Sequence, residues 1–516
     1  MNRSVMIVSL DGSWSVAGAG GAKQSRRTRT WAAFATASLI NIFHGVKFRE
    51  RHSRVAASHL QAFRWALRNL TVSGRLVAAP PVSATPGISM FDDPSGAGTA
   101  IFRSPLSGIV PAALPGFVIA IPVRDEEERL PACLRALARQ RDRSGRSISP
   151  TQVRIVVFAN NCSDRSASLA RKLGGGLSLD VHVVEARLPP AIAHAGSARR
   201  AAMDLAEAWL VEAGESDGVI LATDADSKVA PNWIAENLAA FAAGAEAVLG
   251  RIDLDEEGTY LPEALHRRGE LEDTYERLLT ELSWLLDPLE HDPWPHHATI
   301  SGASLGVTRA AYCRVGRLPR VPLGEDKALI TLLSRYDARI RHCPTAHVIT
   351  SGRTNGRAPG GVADALRIRS RDPEALCDEA LEPFRTAFAR ALWRGRLRRL
   401  HGAGRLALDQ AWAPDLGISA RQVQDIGQAS TFGAAWSVIE DRSPLFARQL
   451  LRPAELPKQI AIAHPSLGRL RKVGSSARQH IQTKFNISIS PIDDECRSDP
   501  FDEESGSLVA AEGIVR

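Results

Sequence analysis

Two carboxylates one residue apart close an apolar run at Val219–Ser227, where Thr223, Asp224, Ala225 and Asp226 follow Val219–Ala222. Carboxylate oxygens are hard donors that suit Mg2+ or Mn2+, and a diphosphate can complete such a cation's shell. If the run is a buried strand, the pair stands where open α/β sheets bind ligands. A cation held there would neutralise a leaving nucleoside diphosphate. The competing assignment is a turn in which Asp226 caps a helix opening at Pro231. A second polar exit, Ile121–Glu127, carries Pro122, Arg124 and Glu126. A rigid proline turn rich in acceptors can hold a nucleoside base and ribose. Acids that favour a helix dipole account for the same residues. Asn160–Asp164 is a turn of the same polar character, with helix capping as its alternative. Further on, the glycine-rich basic loop Ser351–Gly361 offers Arg353 and Arg357. Arginine forks pair with phosphate oxygens and glycines permit movement, so the loop reads as a lid or as a solvated linker.

Those residues need elements to position them. From Phe117 short apolar runs alternate with helical stretches, the pattern of an α/β domain with a mostly parallel, Rossmann-like sheet and flanking helices. Strands are expected at Phe117–Val123, Val153–Phe158, Val181–Glu185 and Gly218–Ala222. Helices are expected at Glu127–Gln140, where Leu130, Cys133, Leu134 and Leu137 keep helical spacing, at Asp164–Leu173 and at His194–Ala213. Gly302–Val307, a helix over Asp326–Tyr336 and a strand at Arg339–Arg341 close the α/β part, with His347 just after that strand. Residues 253–297 form an acidic stretch holding Tyr260, Tyr275, Trp284, Trp294, His296 and His297. Its aromatic faces suit stacking on an acceptor or packing in a core. Residues 364–482 read as mainly helical.

The chain has 516 residues, 44% hydrophobic and 23% charged, which excludes global disorder, collagen and coiled coil. The net charge of +7 resides in the first 100 residues, which hold 12 Lys+Arg against four Asp+Glu. The remainder is nearly neutral, so no nucleic acid is expected as partner. Six cysteines without a CxxC argue against structural zinc and a disulfide framework, and fit a reducing cytosol. The run Trp31–Phe43 is too short to span a bilayer. The organisation expected is a basic, poorly ordered leader over 1–115, an α/β domain over 116–363, a helical extension over 364–485 and an acidic disordered tail over 486–516. Within the extension, Arg385–Arg405 with Trp393, Arg396, Arg398 and Arg399 is a candidate for contact with anionic lipid or a solvated helix face.

Six segments together resemble family 2 glycosyltransferases. Phe117–Arg129 (FVIAIPVRDEEER) is similar to the family's opening motif and Val156–Arg165 (VVFANNCSDR) to its second-strand motif. Gly196–Arg200 (GSARR) matches the helix start and Thr223–Ser227 (TDADS) the metal motif. Ser301–Arg309 (SGASLGVTR) resembles the acceptor-side glycine segment and Gly324–Lys327 (GEDK) the base motif. They keep the family's order over residues 117–350. The resemblance implies a GT-A fold, a nucleotide-sugar donor and Mn2+ or Mg2+ at Asp226, with Asp224 on the metal or the donor ribose. His347 is implied as a further ligand, a hydrogen-bonded structural histidine being the alternative. Asp326, beside Glu325, is implied as the base that deprotonates an acceptor hydroxyl, giving inversion. Pro122, Arg124, Glu126, Asn160, Arg199, Arg200, Arg353 and Arg357 fall on the donor side, Gly302 and Ser304 on the acceptor side. Asn160 departs from the acidic residue often found there, and Arg200 from the usual asparagine.

The expected activity is transfer of one sugar, a hexose, to a hydroxyl of a small molecule, lipid-linked acceptor or polysaccharide. The expected place is the cytoplasm, with peripheral contact at the inner membrane as an option. A retaining GT-A enzyme, a nucleotidyltransferase and a degenerate binding protein are the alternatives. Absence of a Gly-rich lysine signature after the first strand argues against the nucleotidyltransferase.

Overall fold

The computed structural model describes residues 116–255 and 262–473, together with four short strands in the first 115 residues (Val5–Val8, Trp14–Ala17, Ser89–Met90 and Ala100–Ile101). The rest of the basic leader and the acidic tail lie outside the described residues. Contacts divide the chain into two units. The one treated below runs from Pro105 onward, joined by Ile7–Trp14.

The α/β part begins with β1 (Phe117–Val123), α1 (Leu130–Ala138), β2 (Arg154–Asn160), α2 (Ser166–Gly176), β3 (Asp180–Ala186), α3 (Ala195–Glu212) and β4 (Val219–Ala222). It continues with β5 (Ser227–Val229), α4 (Trp233–Ala242), β6 (Ala247–Asp255), α5 (Glu263–Leu286), β7 (Leu305–Thr308), α6 (Arg309–Arg314), α7 (Glu325–Arg335) and β8 (Ile340–Ser351). The eight strands form one sheet in the order β3-β2-β1-β4-β7-β6-β8-β5. The β1–β2, β2–β3, β1–β4 and β6–β8 pairs are parallel; β4–β7, β7–β6 and β8–β5 are antiparallel. The sheet is thus mostly parallel, as its continuous apolar strands predict. β1 and β2 are buried along nearly their whole length because helices cover both faces. The C-terminal ends of β1, β2 and β4 lie at one edge of this sheet, where their polar exits meet.

Three elements differ from expectation. A short strand, β5, directly follows Asp226, and the next helix starts at Trp233, so Asp226 does not cap it. The acidic stretch contains the 24-residue helix α5, whose Leu271, Tyr275, Leu278, Leu282 and Leu285 repeat at helical spacing and enter a core. β8 is 12 residues long rather than three, so His347 lies within it. Pro344 is accommodated because the β6–β8 register shifts between Gly250 and Ile252, freeing that stretch from the ladder.

Beyond β8 come α8 (Val362–Arg371), α9 (Phe384–Gly402), α10 (Ala420–Gly427), α11 (Phe432–Arg442) and α12 (Leu456–Lys472). α9 and α12 pack on α5 around Leu282, Phe384, Phe388 and Leu467. A second helical core gathers Trp393, Trp412, Phe432 and Trp436. Between Arg385 and Gly402 no residue of α9 is exposed, so most of this stretch packs inside the helical region instead of forming a solvated or lipid-facing face. No helix among the described residues is long and apolar enough to cross a membrane.

Candidate active site

Two loops form the floor of the site. The β1 exit turns at Asp125, whose backbone is left-handed (φ 52). Its Oδ1 accepts from the Ser163 N–H at 2.7 Å and the Ser163 hydroxyl at 3.1 Å, while Asp164 Oδ2 accepts from the Glu127 N–H at 2.9 Å. The β1 and β2 exits are thereby latched together, and Asp125, Ser163 and Asp164 do work that sequence reasoning left as generic capping. Asn160 ends β2 at 2% exposure, and its Oδ1 has no hydrogen-bond partner among the described residues. The Thr223 hydroxyl, at the end of β4, is likewise buried and unpaired. Orphaned polar groups cost about 1–3 kcal/mol each unless something binds them.

Above this floor, arginines gather the acids. Glu126 is buried and makes a two-pronged pair with Arg353, at 2.8 Å and 2.6 Å, instead of capping α1. Arg353 Nη2 also lies 3.1 Å from Asp226 Oδ2. Arg357 donates to the Asp125 carbonyl at 2.7 Å and its Nη1 stands 3.9 Å from Glu126. The Ser351–Gly361 segment therefore folds back over the β1 exit and reaches Asp226, and is not a solvated linker. Pro122 lies on β1, and Arg124 at the strand exit donates to the Ala193 carbonyl at 3.0 Å.

Arg199, on the first turns of α3, is a buried hub. Its Nε donates to Glu325 at 2.9 Å, Nη1 to the Gly302 carbonyl at 2.9 Å and Nη2 to Asp224 at 2.8 Å. A Cβ at position 302 would collide with this guanidinium, which explains the glycine. Gly302 N–H in turn donates to Asp326 Oδ2 at 2.8 Å, and Lys327 N–H to its Oδ1 at 2.7 Å. Of the two adjacent acids, Glu325 is buried in the Arg199 pair and Asp326 is only partly covered. Asp226 also receives a long contact from Thr350 at 3.5 Å. Burial, and then the charge of Asp224, pushes the Asp226 carboxyl up to about 6 despite Arg353. The adjacent Cys133, its thiol also raised by burial, donates to the Asp224 carbonyl.

Three expected residues are placed elsewhere. Arg200 bonds Asp204 at 2.7 Å and the Leu318 carbonyl at 2.6 Å, because it projects from α3 at an angle of about a quarter turn from Arg199. Ser304 is buried, accepting from the Trp233 indole N–H at 2.8 Å, so it stitches β7 to α4. His347 meets Asp253 at 2.7 Å rather than Asp224 or Asp226, since the register shift moves it along β8. Arg353 and Thr350, not His347, stand beside Asp226. Trp284 and Trp294 pack on each other, 6.1 Å between ring centres, and Trp284 lines a cavity of about 640 Å3. That cavity lies between α5, α7, α9 and α11, and neither Asp224, Asp226 nor Asp326 lines it.

Residues 118–300 match the model of glycosyl transferase family 2. No curated protein matches the chain. Among solved structures the chain is similar to S. aureus TarS residues 1–349 in complex with UDP-GlcNAc, with 13% identity, 71% of this chain and 89% of that chain covered, and a TM-score of 0.34. It is also similar to the mannosyltransferase PcManGT from Pyrobaculum calidifontis in complex with GDP-Man and Mn2+, with 15% identity, coverage of 74% and 95%, and a TM-score of 0.34.

Proposed function

Taking residues 118–300 as a family 2 glycosyl transferase domain, we propose that the chain moves a hexose from a nucleotide-sugar donor to a hydroxyl acceptor, with inversion. The observation that carries this reading is the convergence, through Arg199, of Asp224, Gly302 and Glu325 beside the Asp226 and Asp326 carboxylates. Asp224 and Asp226 would hold Mn2+ or Mg2+. The donor set fits: hard oxygens, one of them on a carboxyl raised by burial and then by the charge of Asp224, a repulsion that a cation would relieve. When bound, such an ion neutralises a leaving diphosphate.

The chain's own residues do the rest. The unpaired Asn160 Oδ1 accepts an N–H of the donor's base, recovering the penalty of its burial. Arg353 and Arg357 exchange their present acids for diphosphate oxygens, so the 351–361 segment closes on the donor. Asp326, with its carboxylate fixed by two backbone N–H groups, takes the proton of the attacking hydroxyl. Glu325 and Arg199 position it. Product analysis tests this directly. Nucleoside diphosphate release with an inverted anomeric proton by NMR is expected. Retention removes Asp326 from the base role, and pyrophosphate release contradicts sugar transfer.

A further inference from the structure

Away from Asp224 and Asp226, a second group of metal-ligating side chains comes together. Asp292 and His296 lie on the loop after α5, and His342 lies on β8. One donor atom from each falls within 4.8 Å of the others. Asp292 Oδ2 stands 2.8 Å from His342 Nδ1 and 3.7 Å from His296 Nδ1. In a tetrahedral shell with bonds of 2.0–2.1 Å, donors sit about 3.4 Å apart. The present spacing brackets that value, so displacement of a few tenths of an ångström admits an ion.

The carboxylate is already oriented for the task. Its other oxygen, Oδ1, accepts from Arg341 Nη1 at 3.0 Å and from the His342 backbone N–H at 2.9 Å, which leaves Oδ2 turned to the two imidazoles. Outer hydrogen bonds of this kind fix ligands around bound metals. The side chains are only 7%, 11% and 19% exposed for Asp292, His296 and His342. Trp294 packs edge-on against His296, 5.7 Å between ring centres, which restricts that ring further. The three residues line the wall of the 640 Å3 cavity, so one coordination position remains open to it.

We infer that Asp292, His296 and His342 bind a zinc-class divalent ion, distinct from the hard cation of the acidic pair. Two imidazoles with one carboxylate favour Zn2+ over Mg2+ or Mn2+, which prefer oxygen-only shells. The imidazole protons now shared with Asp292 and with the His297 carbonyl, 3.0 Å from His296 Nδ1, move to the opposite ring nitrogens when the ion enters. Bound metal ties the Asp287–Ile300 loop to β8. That loop leads into Ser301 and Gly302, whose backbone holds Asp326.

The test uses the full chain carrying Asp224→Asn and Asp226→Asn, so that zinc at the acidic pair does not contribute and the outcome is independent of the transferase reading. After dialysis against micromolar Zn2+ and desalting, metal is counted by mass spectrometry. One zinc per chain is expected, with neither Mg2+ nor Mn2+ retained. Adding His296→Ala should lower zinc at least tenfold while the variant still melts in one cooperative transition in EDTA, which separates ligand loss from unfolding. His296→Cys should restore retention. His342→Ala should also lose zinc. Failure of the parent to retain zinc, or full retention in His296→Ala, would overturn the assignment.

Discussion

Two of the arginine–carboxylate clusters among the described residues differ in balance. Around α9, Arg390, Arg394, Arg398 and Arg448 share Glu382, Glu440 and Asp287, so every acid has an arginine to itself or more. Around the strand exits, Glu126, Asp224, Asp226 and Glu325 share Arg199, Arg353 and Arg357, and Asp326 beside them is held by backbone N–H groups alone. The first cluster is complete and locks helices together. The second has surplus negative charge in a half-covered place, which folding stability alone does not favour. An unbalanced buried cluster is a site for a ligand; a balanced one is a fastener.

Breaking each cluster should therefore have different consequences. The largest effect is expected from Asp326→Asn, a loss of roughly 10²–10⁴ in kcat with little change in donor KM, measured by steady-state kinetics. A fall of under tenfold would reduce Asp326 to a cap on α7. Next comes Arg390→Ala in the balanced cluster. With Arg390 at 8% and Glu382 at 3% exposure, leaving Glu382 and Glu440 with only the longer Arg448 contacts should cost about 3–5 kcal/mol in urea unfolding, while kcat of the folded protein is retained. Arg353→Ala is predicted to split two affinities. Donor binding weakens by about tenfold, one lost charge-assisted contact, whereas Mn2+ alone binds more tightly because its competitor for Asp226 is gone. The mildest effect is with pH. A proton competes with metal at Asp226 below about 6, so metal affinity should fall up to roughly tenfold per pH unit there. The folded state holds that proton more tightly than the unfolded one, whose carboxyl titrates near 3.8. Asp226 thus makes metal-free stability decline as pH rises from about 4 to about 6, a slope that Asp226→Asn should remove in thermal melts.

Much of this was legible in the chain, for local reasons. The strand Phe117–Val123 coincides with β1, and the alanine-rich stretch from His194 becomes α3 with His194 as its cap, because pattern and capping chemistry are written in neighbouring residues. α5 is readable in principle from its Leu–Tyr–Leu spacing, but its many charged residues and its aromatics suit acceptor contact as well as a core. β8 was hidden by Pro344, which argues against a strand unless a register shift shelters it. Arg199 falls on the donor side by resemblance, and its actual partners lie 25, 103 and 126 residues away; no local pattern encodes that convergence. The same holds for His296 and His342, which only the β8 register brings together with Asp292.

The central claim is that the surplus charge at Asp224 and Asp226 holds a cation for a nucleoside diphosphate. Calorimetric titration of UDP and GDP into wild type and Asp226→Asn, with and without Mn2+, tests it most directly. Binding of one of the two that requires Mn2+ in wild type, and loses that requirement together with most of its affinity in Asp226→Asn, is predicted. Mn2+-dependent binding of equal strength in both proteins would contradict the account.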